Sequence, residues 1–137
     1  MRYMKYIGID YGAKRVGVAI SDEEGKFAFP REVLKNDAVL KERIKELCKQ
    51  ETVMRMVVGE SLGYDQKPNT VMGGIQAFVD EMKTLLDIPV AFEPEFMTST
   101  EAERAQGKHA MIDASAAAII LQSYLDKIQN KNGHHNF

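Results

Sequence analysis

The sequence predicts an α/β fold: a mixed five-stranded sheet, three antiparallel strands first and then two parallel ones, flanked by helices. Three observations carry that expectation. Short segments at the start of the chain run or alternate in apolar residues, as strands do. Later segments space apolar residues helically and alternate with strand-like runs, which implies parallel pairing through crossovers. Finally, 137 residues at 45% hydrophobic and 28% charged make a single domain, 1–137, with a core of its own.

The first strand runs through "YMKYIGID", where Tyr6, Gly8 and Asp10 alternate with Ile7 and Ile9. "RVGVAIS" is the second strand, turning at "DEEGK", where Gly25 supplies a permissive backbone. "FAFPREVL" is the third, and Pro30 argues for a sheet edge. "NDAVLKERIKELCKQ" spaces Val39, Leu40, Ile44 and Leu47 helically, with Asn36 or Asp37 as candidate N-cap. "VMRMVVGE" is a buried strand, and "SLGYDQKPN" a polar loop. In the second helix Val71, Ile75, Phe78, Val79, Met82 and Leu86 form one apolar stripe. "IPVAFEPEF" is the fifth strand. Thr98 and Glu101 make a capping box for a short helix that Gly107 ends. The last helix, "MIDASAAAIILQSYLDKI", begins with small residues, Ala114 to Ala118, that allow close approach to the sheet. From 129 to 137 a frayed tail is expected, which makes His134 and His135 poor metal-ligand candidates.

A net charge of −2 gives no global basic field for nucleic acid or anionic lipid, so any phosphate-seeking surface must be local. The single cysteine, Cys48, cannot close an internal disulfide and fits a reducing cytoplasm; its helical position favours burial over reactivity. No apolar run reaches membrane-spanning length, and the N-terminus lacks a signal-peptide core. A cytoplasmic location without membrane contact is the expectation.

Four carboxylates fall where a strand ends or a helix begins: Asp10, Glu60, Glu95 and Asp113. If strands 1, 4 and 5 are neighbours, their ends converge, and the last helix can bring Asp113 to the same place. Carboxylates forced together repel unless a cation joins them, and hard oxygen donors suit Mg²⁺ or Mn²⁺, one or two ions. Such ions serve phosphodiester hydrolysis. The alternative is structural: strand-end acids are commonly solvated, and Asp113 suits a helix's first turn by dipole alone. Asp10 resists that reading, because its strand is otherwise apolar and its neighbours are small. Lys14, Arg15, Lys67, Arg104, Lys108 and His109 lie in the adjoining loops, where phosphate contacts are a natural use and scattered surface cations the alternative. His109, four residues before Asp113, could share its helix face and move protons. Phe27, Phe29, Tyr64 and Tyr124 could each stack on a base, although core packing explains Phe27 and Phe29 as well.

"YIGIDYGAKRVGVAISD", "VVGESLGYD", "TSTEAER" and "IDASAAAIILQSYLD" resemble, in order and spacing, the YqgF (RuvX) family of Holliday-junction-resolvase-like nucleases, over residues 4 to 128. The resemblance implies an RNase H-like fold and a hydrolase that matures the 5′ end of the small-subunit ribosomal RNA precursor. Its first-strand aspartate matches Asp10, the acid of its "DER" motif matches Glu95, and the aspartate opening its last helix matches Asp113. These would be the metal ligands, with Gly8 and Gly12 keeping space around Asp10. Three departures stand out. "VVGLP" is here "VVGES", placing Glu60 where related resolvases carry an acid, a candidate fourth ligand. "DER" reads "PEF", and the basic segment before "IDA" is shortened to "AQGKHAM".

The implied function is therefore a Mg²⁺- or Mn²⁺-dependent endonuclease acting on structured RNA, with Lys14, Arg15, Arg104, Lys108 and His109 on the substrate and the ribosome as a potential partner. Two alternatives accompany it. A DNA-junction resolvase would need a homodimer presenting two sites, where an RNA nuclease can be a monomer. A non-catalytic RNA- or ribosome-binding assembly factor would bind RNA in a salt-sensitive way without metal-dependent cleavage.

Overall fold

The computed structural model describes residues 4–62, 72–96 and 109–133. Its elements are β1 (Lys5–Tyr11), β2 (Arg15–Ser21), β3 (Ala28–Lys35), α1 (Leu40–Glu51), β4 (Val53–Leu62), α2 (Met72–Leu86), β5 (Val90–Phe96) and α3 (His109–Gly133). The strands form one sheet in the order β3-β2-β1-β4-β5. β1, β2 and β3 pair antiparallel, and β4 joins β1 in parallel, as β5 joins β4. The mixed sheet expected from the sequence is thus present, with β1 at its centre.

Both faces of the sheet are covered. Ile7, Ile9, Val16, Val18, Met56 and Val58 pack with Ile44 and Leu47 of α1 and Ile75, Phe78, Val79 and Met82 of α2 in one apolar cluster. On the other face Tyr6, Ala19 and Val57 meet Ala117, Ile120, Leu121 and Leu125 of α3 in a smaller one. β1 therefore alternates between two buried faces rather than between core and water. A Cβ added at Gly8 would lie 2.7 Å from Leu121 Cβ and 3.0 Å from the Ala117 carbonyl oxygen, so Gly8 is what lets α3 lie close. The small-residue start of that helix provides the matching surface.

The β2–β3 turn follows the expectation. Gly25 has φ +69°, and Asp22 Oδ1 accepts from the backbone N–H of Lys26 at 2.8 Å and of Phe27 at 3.2 Å. Pro30 sits on the edge strand, beside the irregularity in the β2–β3 register. Three expectations need correction. α1 starts at Leu40, and neither Asn36 nor Asp37 caps it. Asp37 Oδ1 instead accepts from Val39 N–H at 3.1 Å, a local turn that competes with helix and leaves Val39 exposed. α3 also continues through Gly133, past the expected start of the tail at 129. Gln129 Nε2 donates to the Lys26 carbonyl at 2.9 Å and holds that turn of helix against the β2–β3 connection. Finally, Phe27 and Phe29 are exposed, so core packing does not explain them. Val71, Tyr64, the Thr98–Gly107 helix, and His134 and His135 lie outside the described residues.

Candidate active site at the rim of the central strand

Asp10 stands on the penultimate residue of β1 and is only 6% exposed. By strand alternation it shares a face with Tyr6 and Gly8, the face covered by α3. Its partner across β2 is Gly17. On the β4 side the neighbour is Gly59, the residue after Val58, which pairs with Ile9. Two residues without side chains thus flank the carboxylate on its own face. Gly8 and Gly12 had been expected to do this. Gly8 instead admits α3, and Gly12 is confined by its own turn, where an added Cβ would meet the Arg15 carbonyl oxygen at 2.6 Å.

The same register places the other acids. Gly59 pairs with Glu93 and Ser61 with Glu95, so Glu93 and Glu95 occupy β5 positions of the same parity as Asp10's row. Glu60 pairs with Pro94 one residue out of phase. It is half-buried and has the parity of Met56 and Val58, which face α1 and α2. The pleat therefore separates Glu60 from Asp10 by the thickness of the sheet and does not bring the two together.

Asp113 is placed by the backbone of α3. That helix runs antiparallel to β1: Tyr124 lies against Tyr6, with ring centroids 6.1 Å apart, while Leu121 and Ala117 lie over Gly8. One turn back from Ala117 covers about 6 Å of helix axis. The two strand residues from Gly8 to Asp10 cover about 7 Å. Asp113, the fifth residue of α3, is thereby carried toward the Asp10 end of the strand. The side chains of Glu95, His109 and Asp113 lie outside the described residues, as do Lys67, Arg104 and Lys108 altogether. Among the described residues no three metal-ligating side chains converge. The donor chemistry nonetheless fits a hard cation: a buried carboxylate on an otherwise apolar strand, with two more acids at converging backbone positions.

Two features were not foreseen. Glu93 is 3% exposed; its Oε2 accepts from Ser123 Oγ at 2.7 Å and pairs with Lys127 Nζ at 2.6 Å. This clamp fastens α3 to β5 from the Asp10 face. No local sequence signal announces it, because the partners are 30 and 34 residues away. Tyr124 is half-buried against Tyr6, and its hydroxyl accepts from Arg55 Nη1 at 2.8 Å, which makes it a packing residue rather than a platform for bases. Beyond Asp10, Lys14 in the β1–β2 turn and Arg15 at the start of β2 stand at the same rim.

The RuvX family, described as Holliday junction resolvase, matches residues 4–127. This chain belongs to it. Curated members named "Putative pre-16S rRNA nuclease" are close in length as well as sequence. The one from Nitratidesulfovibrio vulgaris is 36% identical over 134 residues, covering 90% of this chain and 94% of that protein. The one from Sulfurihydrogenibium sp. is 33% identical over 141 residues, covering 97% of each. Among solved structures, RuvC of Thermus thermophilus superposes with a TM-score of 0.58 at 19% identity, covering 93% of this chain and 97% of RuvC. The same protein in complex with a Holliday junction substrate gives the same score. At that identity the likeness concerns the fold, which is RNase H-like, as the RuvX motifs implied.

Proposed function

We propose that this chain is a metal-dependent endonuclease that hydrolyses phosphodiester bonds in structured RNA and matures the 5′ end of the small-subunit ribosomal RNA precursor. The observation that carries the reading is Asp10: a carboxylate buried on the central strand, flanked by Gly17 and Gly59, at the end toward which α3 brings Asp113. A carboxylate at the end of the central strand is a hard oxygen donor of the kind that Mg²⁺ or Mn²⁺ takes. Asp10, Glu95 and Asp113 form the proposed ligand set, and the parity of β4 leaves Glu60 out of it. Bound there, Mg²⁺ or Mn²⁺ supplies charge stabilisation and lowers the pKa of an attacking water. The chain contributes the rest. Gly17 and Gly59 leave no side chains beside the carboxylate on its own face, and Lys14 and Arg15 would hold the phosphate in position without reading sequence. The names of the curated relatives support the RNA substrate.

The family description favours a second substrate, a four-way DNA junction, and one assay separates the two. A small-subunit ribosomal RNA precursor fragment and a DNA junction are incubated with the protein in Mg²⁺, Mn²⁺ or EDTA, beside Asp10→Asn. The expected result is metal-dependent RNA cleavage that falls by at least ~10²-fold in the variant. Junction cleavage without RNA cleavage would reassign the substrate. RNA binding with no cleavage in any metal would make the protein an assembly factor.

A further inference from the structure

α3 is held to the sheet by two kinds of contact. Between Ala114 and Leu121 it reads "ASAAAIIL", and its meeting with β1 is apolar, Ala117 and Leu121 over Gly8. Apolar packing sets how close the helix lies, but it is non-directional and opposes sliding along the strand only weakly. Among the described residues, hydrogen bonds from α3 side chains begin at Gln122. Its Oε1 accepts from the Ala28 N–H at 2.8 Å and its Nε2 donates to the Lys26 carbonyl at 2.9 Å, at the β3 edge. Ser123 Oγ donates to Glu93 Oε2 at 2.7 Å, at the β5 edge. Consecutive helical residues point about 100° apart, so one turn of helix grips both edges of the sheet. On the β5 side Lys127, which shares Glu93 Oε2, is 61% exposed, and solvent weakens that ion pair. The Ser123 hydroxyl bond to the same buried carboxylate is the firmer tie.

The place of this tie gives it a bearing on the chemistry. Glu93 pairs with Gly59, the β4 neighbour of Asp10, and stands two residues before Glu95 on β5. Ser123 follows Asp113 on α3 by ten residues, about 15 Å along the axis. The Glu93–Ser123 bond therefore joins the two elements that carry Glu95 and Asp113, across the glycine beside Asp10. A helix passes an axial slip at Ser123 on to Asp113 undiminished, and a misplacement of about 1 Å can cost ~10²-fold in rate.

We propose that Glu93 and Ser123 are positioning residues, which fix the height and rotation of α3 so that the backbone of Asp113 is delivered to the Asp10 end of β1. The proposal rests on the nuclease reading above. It is tested by calorimetric Mn²⁺ titration without RNA, and by kcat and KM for cleavage of the RNA precursor fragment. The proteins compared are wild type, Ser123→Ala, Ser123→Thr, Glu93→Leu and Ile44→Val. Ile44→Val trims the opposite face and controls for lost stability, which denaturant unfolding measures for every variant. Ser123→Ala and Glu93→Leu should each weaken Mn²⁺ binding by ~10-fold and lower kcat by ~10-fold, with KM for RNA within ~2-fold of wild type. Ser123→Thr, which keeps the hydroxyl, should restore both, and Ile44→Val should bind Mn²⁺ as wild type does. If Ser123→Ala and Glu93→Leu match Ile44→Val while wild type binds Mn²⁺ and cleaves RNA, the tie serves stability alone and the nuclease reading stands. Tighter Mn²⁺ binding in Ser123→Ala would make Glu93 a metal ligand held back by the tie, and would likewise overturn the positioning role. A wild type that cleaves no RNA overturns the nuclease reading and this one with it.

Discussion

The two faces of this sheet do different work with different residues. The face under α1 and α2 is closed by large aliphatic and aromatic side chains: Ile7, Ile9, Met56, Ile44, Phe78 and Met82. The face under α3 is thinner and mixed. Gly8 meets Ala117 there, Asp10 and Glu93 are buried in it, and Arg55 reaches Tyr124. One side supplies apolar burial; the other sets a helix close to the sheet and carries the backbone of Asp113 toward the Asp10 end of β1. Stability and chemistry are thus divided by the plane of the central strand.

The largest effect on stability should come from the first face. Ile44 is fully buried, and Ile44→Ala should cost about 2–5 kcal/mol in denaturant unfolding, with specific cleavage retained in the folded fraction. Gly8→Ala should cost less, about 1–3 kcal/mol, yet damage function more. Its new methyl collides with Leu121 Cβ and the Ala117 backbone, so α3 must move away from Asp10. Equal loss of cleavage in the two variants, once corrected for folded fraction, would dissolve the division between the faces.

The smallest effect belongs to neither face's core. Glu51 accepts from Lys5 Nζ at 2.7 Å and lies 3.4 Å from Arg31; the Lys5 hydrogen bond holds its carboxyl below the usual range against the opposing effect of burial, and the Lys5 and Arg31 charges add to the lowering. A lowered folded-state pKa means that this stabilisation is present above the ordinary carboxylate value of 4.5 and is lost as pH falls through the folded value. Lys5→Gln should therefore cost only ~0.5 kcal/mol at neutral pH, screened as the pair is by solvent. The difference from wild type should vanish in acid. A gap that persists in acid would place the effect of Lys5 in packing.

Much of this could be read from the sequence, and the misses have physical causes. The strand and helix order was legible because apolar spacing tracks backbone geometry, and the β2–β3 turn because Asp22 and Gly25 satisfy it locally. Asp10 was legible because a carboxylate interrupts an apolar strand between small residues. The place of Glu60 was not. Both faces of β1 and β4 are buried, so apolar alternation cannot say which acids share a face; only the pairing register does. Gly8 was read as room for Asp10 because a close-packed helix leaves the same glycine signal as an open site. The Glu93 clamp joins residues far apart in the chain and has no local trace. The start of α1 was misread because Asp37 is as good at forming a turn as at capping a helix.

The most direct test of the division between the faces is a calorimetric Mn²⁺ titration, without RNA, of wild type, Asp10→Asn and Glu60→Gln. Acids placed together on the α3 face predict that Asp10→Asn loses at least ~10-fold in Mn²⁺ affinity while Glu60→Gln binds as wild type does. Mn²⁺ binding that survives Asp10→Asn, or that fails in Glu60→Gln, would contradict it.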